Sequence, residues 1–338
     1  MATAAPPAAA GPAHVATVSF LASRATPTGG FWIALAGGVA LARVAQRLGA
    51  RQGFGTSLAA MLETVAIMGP ARFAVPLTQA LTAPLLGRFE ARGVPLPLQL
   101  LACAAVRLLH NAATTAFFIW VIAGGLDAYA GTYDGVAGRL GFEVTTATAL
   151  VFTAATLLAW GAFASTVQVL VYRRGLRRWS AAEPEAAEDP GPPEAVAAVH
   201  RGRFDPRLVA AAAGIAFALL LSGTSWRLLG AVAAWLALAW ATARADPAPV
   251  PTGLALTGVI AVGALVFTLG GGLGLDTALR RTLRAALLVL VATWLRAAAG
   301  SDGLRDVSRR VLGRLRRVPS LPEAARALDG MGSEGRLV

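Results

Sequence analysis

CAAVRLLHNAATTAFFIWVIAGG, Cys103 to Gly125, is the stretch whose reading decides the fold. It is apolar over more than the about 20 residues that carry an α-helix across a bilayer, yet it holds Arg107, His110 and Asn111. Positions three and four apart share a helix face, so these polar groups are expected to point the same way. An intramembrane Arg costs about 2.5–3.5 kcal/mol on insertion scales and normally faces the bundle interior, a wet cavity or a counter-charge. Counted from Leu96, Arg107 lies near mid-membrane; counted from Cys103, it snorkels to the cytoplasmic interface. Two roles stay open for it, a structural ion pair or anchor and a transport or ligand site. Glu63, inside the broken apolar run AAMLETVAIMGPARFAVP, is the partner expected for Arg107, and Arg72 competes for Glu63.

The rest of the chain agrees with a membrane reading. Its 338 residues are 56% hydrophobic and 14% charged, with a mean hydropathy of +0.61, whereas a soluble domain carries about a quarter charged residues. The expected class is all-α, a polytopic integral membrane protein with roughly 7–9 membrane-embedded helices in two modules. All 30 basic residues are Arg, which fits a GC-rich genome. The formal net charge of +12 reflects Arg at the ends of apolar runs, where membrane topology puts it, and not a nucleic-acid partner. The single cysteine, Cys103, excludes an intramolecular disulfide and a multi-cysteine metal site, leaving it as a small core residue.

Four apolar runs are strong: Leu96–Gly124, Val144–Tyr172, Leu208–Ala243 and Gly253–Leu273. The third is too long for one crossing and divides at Ser222–Arg227. Phe31–Val44 and Leu283–Ala299 are weaker, and Phe54–Leu86, broken by Glu63, Pro70, Arg72, Pro76 and Pro84, suits a tight hairpin or re-entrant element. The resulting division is a disordered start (1–28), a first module (29–178), a disordered linker rich in Pro and acids (179–203), a four-helix second module (204–299) and a basic tail (300–338). Arg clusters at 173–178 and 201–207 place the linker and the C-terminus in the cytoplasm of a multi-pass plasma (inner) membrane protein. In this scheme Arg280, Arg281 and Arg284 fall on the wrong side.

The tail LRDVSRRVLGRLRR sets Leu304, Val307, Val311, Leu315 and Val318 at spacings of three and four. Arg305, Arg309, Arg310, Arg314, Arg316 and Arg317 occupy the other faces, making a basic amphipathic helix fit for lipid headgroups or a partner protein. Catalytic material is scarce. His14, His110 and His200 are too scattered for a metal cluster, the spans hold no paired carboxylates, and no phosphate loop or nucleophile elbow occurs. No enzyme and no cofactor is expected. The GGGLG run at 270–274 reads as a loop or close-packing feature.

The second module opens FDPRLVAAAAGIAFALLLSGTSWRLLGAVAAWLALAWA, and its Asp205-Pro206-Arg207 heading an apolar hairpin resembles the start of the transmembrane T component of energy-coupling factor (ECF) transporters. The later LRRTLRAALLVLVATWLRAAAGSDGLRDVSRRVLGRLRRVPS is similar to that family's Arg-bearing span followed by a cytoplasmic helix. The likeness covers about 204–320. Leu208 and Val209 stand where the family has Thr-Lys, and its Ala-Arg-Gly coupling motif is missing from this module, though Ala91-Arg92-Gly93 occurs in the first. The resemblance implies a non-ATPase membrane subunit of a transport system, with a cytoplasmic ATPase or another membrane subunit as its partner. The alternative is a non-catalytic membrane scaffold or assembly protein.

Overall fold

The computed structural model describes residues 9–25, 30–70, 77–137, 141, 144–179, 204–242, 247–270, 274–315 and 317–334, and among these every regular element is helical. In order they are α1 (Ala10–Ala25), α2 (Gly30–Leu48), α3 (Ala50–Met68), α4 (Leu77–Ala91), α5 (Leu96–Phe117) with a π-helical turn (Phe118–Ala123), α6 (Leu126–Ala137), α7 (Thr146–Arg178), α8 (Pro206–Ser222), α9 (Trp226–Thr242), α10 (Pro249–Gly270), α11 (Leu275–Arg314) and α12 (Leu321–Glu334). Among the described residues five segments are long and apolar enough to cross a bilayer: Gly30–Leu48, Leu96–Val121, Thr146–Arg178, Pro249–Gly270 and Leu275–Arg314. The hairpin α8–α9 breaks where the Ser222–Arg227 turn predicts, but each arm has only 17 residues. At 1.5 Å per residue that is about 25 Å, short of a hydrocarbon core of about 30 Å.

Local chemistry explains where these helices begin. Thr145 and Thr148 form a reciprocal capping box at the start of α7. Asp205 accepts from the Arg207 backbone N–H at 2.9 Å, with Pro206 in the first helical turn of α8. The Asp-Pro-Arg signature is thus, locally, a helix N-cap.

Among the described residues, three of the four apolar clusters join helices distant in the chain. In the first, Phe20 of α1, Leu35 and Leu41 of α2, Leu86 of α4, Cys103 of α5 and Tyr172 of α7 are buried together. Small residues allow the close approach, for a Cβ on Gly87 would lie 2.0 Å from the Ala42 carbonyl oxygen. In the second, α8 and α9 pack Leu220, Leu229 and Leu236 against Leu287, Val291 and Trp294 of α11. In the third, Leu312 of α11 and Ala324, Leu328 and Met331 of α12 close on Ala13 and Ala59.

Several expectations change here. Residues 10–25, expected to be disordered, form α1, because Ala13, Ala16 and Phe20 share a face that the neighbouring helices bury. Residues 54–86, expected as a tight hairpin or re-entrant element, fall in α3, which runs to Met68, and α4, which starts at Leu77 and carries Pro84 inside it; the Ser57 hydroxyl of α3 donates to the Ala80 carbonyl of α4. Between the strong runs Leu96–Gly124 and Val144–Tyr172 the chain forms a further helix, α6. The tail expected from residue 300 begins where the backbone of α11 breaks from helical geometry, at Gly300, and α11 packs on elements of both expected modules. The linker at 180–203, with His200, and the 271–273 part of the glycine run lie outside the described residues.

α11 bends at Gly300, whose φ of 70° and ψ of 168° belong to a region open almost only to glycine. Its Cβ position is open space, so the backbone alone opposes a side chain there. Gly300→Val is expected to cost about 1–3 kcal/mol of thermostability, read as a lowered melting point in detergent. An unchanged melting point would show that the bend is not needed.

Candidate functional site

The polar groups singled out in the sequence fall into two sites, and the pairing between them differs from the expected one. Arg107 does not meet Glu63. It is buried at 3% exposure between α5 and α7, where its Nη2 donates to Gln168 Oε1 at 2.5 Å. Gln168, fully buried, passes the chain on by donating from Nε2 to Thr82 Oγ1 at 2.6 Å, and Thr82 donates to the Thr78 carbonyl one turn back. Cys103 Sγ lies 3.5 Å from the same Gln168 oxygen, and the Phe31 ring centroid is 5.8 Å from the Arg107 guanidinium carbon. Four helices, α2, α4, α5 and α7, therefore converge on one cation. Among the described residues no carboxylate pairs with it.

Packing around this core is tight. Tyr172 is fully buried, and a Cβ on Gly38 would lie 1.6 Å from its hydroxyl oxygen, so α2 needs a glycine where it crosses that ring. Arg107 Nε, Ser165 Oγ, Tyr172 Oη and Asn111 Nδ2 are buried polar atoms without a hydrogen-bond partner among the described residues. His110 and Asn111 are only half-buried, at the edge of the cluster, so the shared polar face is buried at Arg107 and partly open above it.

Glu63, 4% exposed, belongs to the second site. Arg305 of α11 grips it in a two-pronged ion pair, with Nε donating to Oε2 at 2.7 Å and Nη2 to Oε1. The helix expected to meet lipid headgroups or a partner protein is fastened to α3 by its first arginine. Further along, Arg309 pairs with Asp306 and Asp329, and Arg310 with Asp306. On the neighbouring face of α3, Arg51 Nε reaches Glu323 of α12 at 2.7 Å. Arg314 and Arg317 are exposed. Arg72 and Arg316 lie outside the described residues.

A third arrangement gave no signal in the sequence except its apparent misplacement. Arg281 donates to the carbonyls of Ala123 and Gly124 at 2.7 and 2.8 Å, and Arg284 to that of Val121. Two guanidinium groups thereby satisfy the carbonyl end of the α5 π-helical turn, where the helix dipole is negative. Gly124, at φ 91°, makes the room, because a Cβ there would fall on the Arg281 guanidinium. Arg280 takes Asp276 as its partner and lies over Trp226, whose Nε1 donates to Asp276 at 2.8 Å. No family model, curated protein or solved structure matches the chain.

A fourth arginine, Arg296, donates from Nε to the Ile67 carbonyl at 3.1 Å. Beside it, Met68, Gly69, Thr252, Gly253 and Thr293 line a cavity of about 10 Å³, room for a single water. Among the described residues no three His, Cys, Asp or Glu side chains come together as metal ligands would.

Proposed function

We propose that this chain is a multi-pass integral membrane protein of the plasma (inner) membrane that serves as a non-catalytic scaffold or assembly subunit, with residues 173–178 and the C-terminus in the cytoplasm. The observation that carries the reading is what the interior charges do. Arg107, Glu63, Arg281, Arg284 and Arg296 each bond to a different helix from their own. Interior polar groups used in this way join helices to one another. The orientation is supported by the Arg clusters, in which Arg173 and Arg177 share Glu90 at the end of α4.

A second reading, a T-like membrane subunit of a transport system, is favoured by the two helices that follow the bend at Gly300. They present arginines at the same end of the bundle as Glu63, where an ATPase would dock. Affinity purification of the tagged full-length chain from native membranes distinguishes the two. The scaffold reading expects a stoichiometric membrane partner and no ATPase. A stoichiometric ATPase that stays bound through a second purification step would overturn it in favour of transport.

A further inference from the structure

We propose that the exposed end of α11 and the turn that follows it bind anionic lipid headgroups, with Val311, Leu315 and Val318 entering the headgroup boundary and Arg314 and Arg317 holding lipid phosphates. This rests on the membrane reading above and is independent of the choice between scaffold and transport subunit.

The charges on this limb are sorted. Arg305, Arg309 and Arg310 all have carboxylate partners within the protein. Arg314 and Arg317 have none among the described residues. Arg314 precedes Leu315 and Arg317 precedes Val318 in the chain, and Val311, Leu315 and Val318 are each 50% exposed. Val311 lies in the last turn of α11 beside the buried Leu312, and Leu315 and Val318 lie in the non-helical turn that follows. Apolar side chains edged by uncompensated cations suit the plane where acyl chains meet phosphates better than they suit water. A guanidinium's fork of N–H donors matches phosphate oxygens in geometry as well as charge.

The limb is also held in place for such contact. The bend at Gly300 turns it from the apolar first part of α11, while the Glu63–Arg305 pair and Leu312 fix its inner side to the bundle. Its outer side is therefore presented where the apolar helix ends. That continuity, with the positive charge, commits the occupant to an anionic bilayer surface.

The test uses the full chain with Cys103→Ala and Leu315→Cys, labelled at position 315 with a polarity-sensitive fluorophore. The protein is reconstituted into nanodiscs of phosphatidylcholine alone or mixed with phosphatidylglycerol. In the anionic discs the emission should shift to the blue and iodide quenching should fall about threefold, an effect lost at high salt. Adding Arg314→Gln and Arg317→Gln should return the label to its behaviour in phosphatidylcholine alone; both sites are exposed, and an unchanged melting point shows the fold is kept. A label equally wet in both discs overturns the proposal, as does a shift unaffected by the double substitution. Shielding that appears only when a soluble protein fraction is added overturns it in favour of a protein partner. Failure to enter discs at all would instead overturn the membrane reading on which it rests.

Discussion

Arg305→Leu is expected to lower the stability of the folded protein by about 3–5 kcal/mol, the cost of leaving a buried charge without its partner. Glu63 is almost wholly enclosed and accepts two nitrogens from Arg305, so its carboxylate would be left dry and unpaired. Glu63→Leu should cost less. The Arg305 side chain is 26% exposed and keeps Asp302, whose Oδ1 lies 2.8 Å from its Nη1. Thermal unfolding in detergent, followed by the fluorescence of the eight tryptophans, gives both values. The double substitution should recover part of the larger loss, because a leucine pair buries no charge. Arg305→Lys should fall between parent and Arg305→Leu, since an ammonium supplies the charge without the fork. Strictly additive single effects would refute the pairing.

The second large effect is expected at Gln168. Gln168→Leu takes from Arg107 the only side-chain oxygen that the described residues offer it, leaving the Phe31 face as its remaining attraction. A buried cation in that state should cost about 3–5 kcal/mol. Arg107→Leu removes the charge itself and leaves Gln168 still bonded to Thr82, so about 1–3 kcal/mol is expected, the range for a buried polar group losing one partner. Gln168→Glu tests the electrostatics separately. It keeps the shape, supplies the carboxylate that Arg107 lacks, and should retain far more stability than Gln168→Leu. Melting points of the three variants in one detergent decide the matter. A Gln168→Glu variant as unstable as Gln168→Leu would mean that Thr82, through the amide nitrogen, matters more than the charge of Arg107.

These two sites show how far the chain could be read without its fold. Arg107 and Glu63 both stood out, because an ionised group inside an apolar run is costly wherever it ends up. Their mutual pairing did not follow, and the reason is physical. The penalty marks a group as needing a partner and carries no information on which helix supplies it. Gln168, neutral and at home in many places, sends no such signal along α7, although it is the group that completes the Arg107 site. Arg305 was visible as one cation among several in a basic amphipathic helix. Nothing in that pattern distinguished it from Arg309 or Arg314, and only the docking of the limb on α3 did so.

The sequence by itself determined the class of the protein. Apolar runs and scarce charge require helices with their backbone groups satisfied internally, and the turn at Ser222–Arg227 and the caps at Asp205 and Thr145 are local chemistry that acts wherever the segment lies. Tertiary structure alone decided that residues 10–25 are helical, that the part of α11 beyond Gly300 docks Arg305 on Glu63, and that Arg281 and Arg284, apparently on the wrong side, close the carbonyl end of a helix more than 150 positions earlier in the chain. Hydropathy and capping depend on neighbours along the chain, within reach of a few residues. Which carbonyl, amide or carboxylate meets an arginine depends on helices brought together from distant parts of the chain, by packing of small and apolar faces that many alternative pairings would satisfy almost equally well.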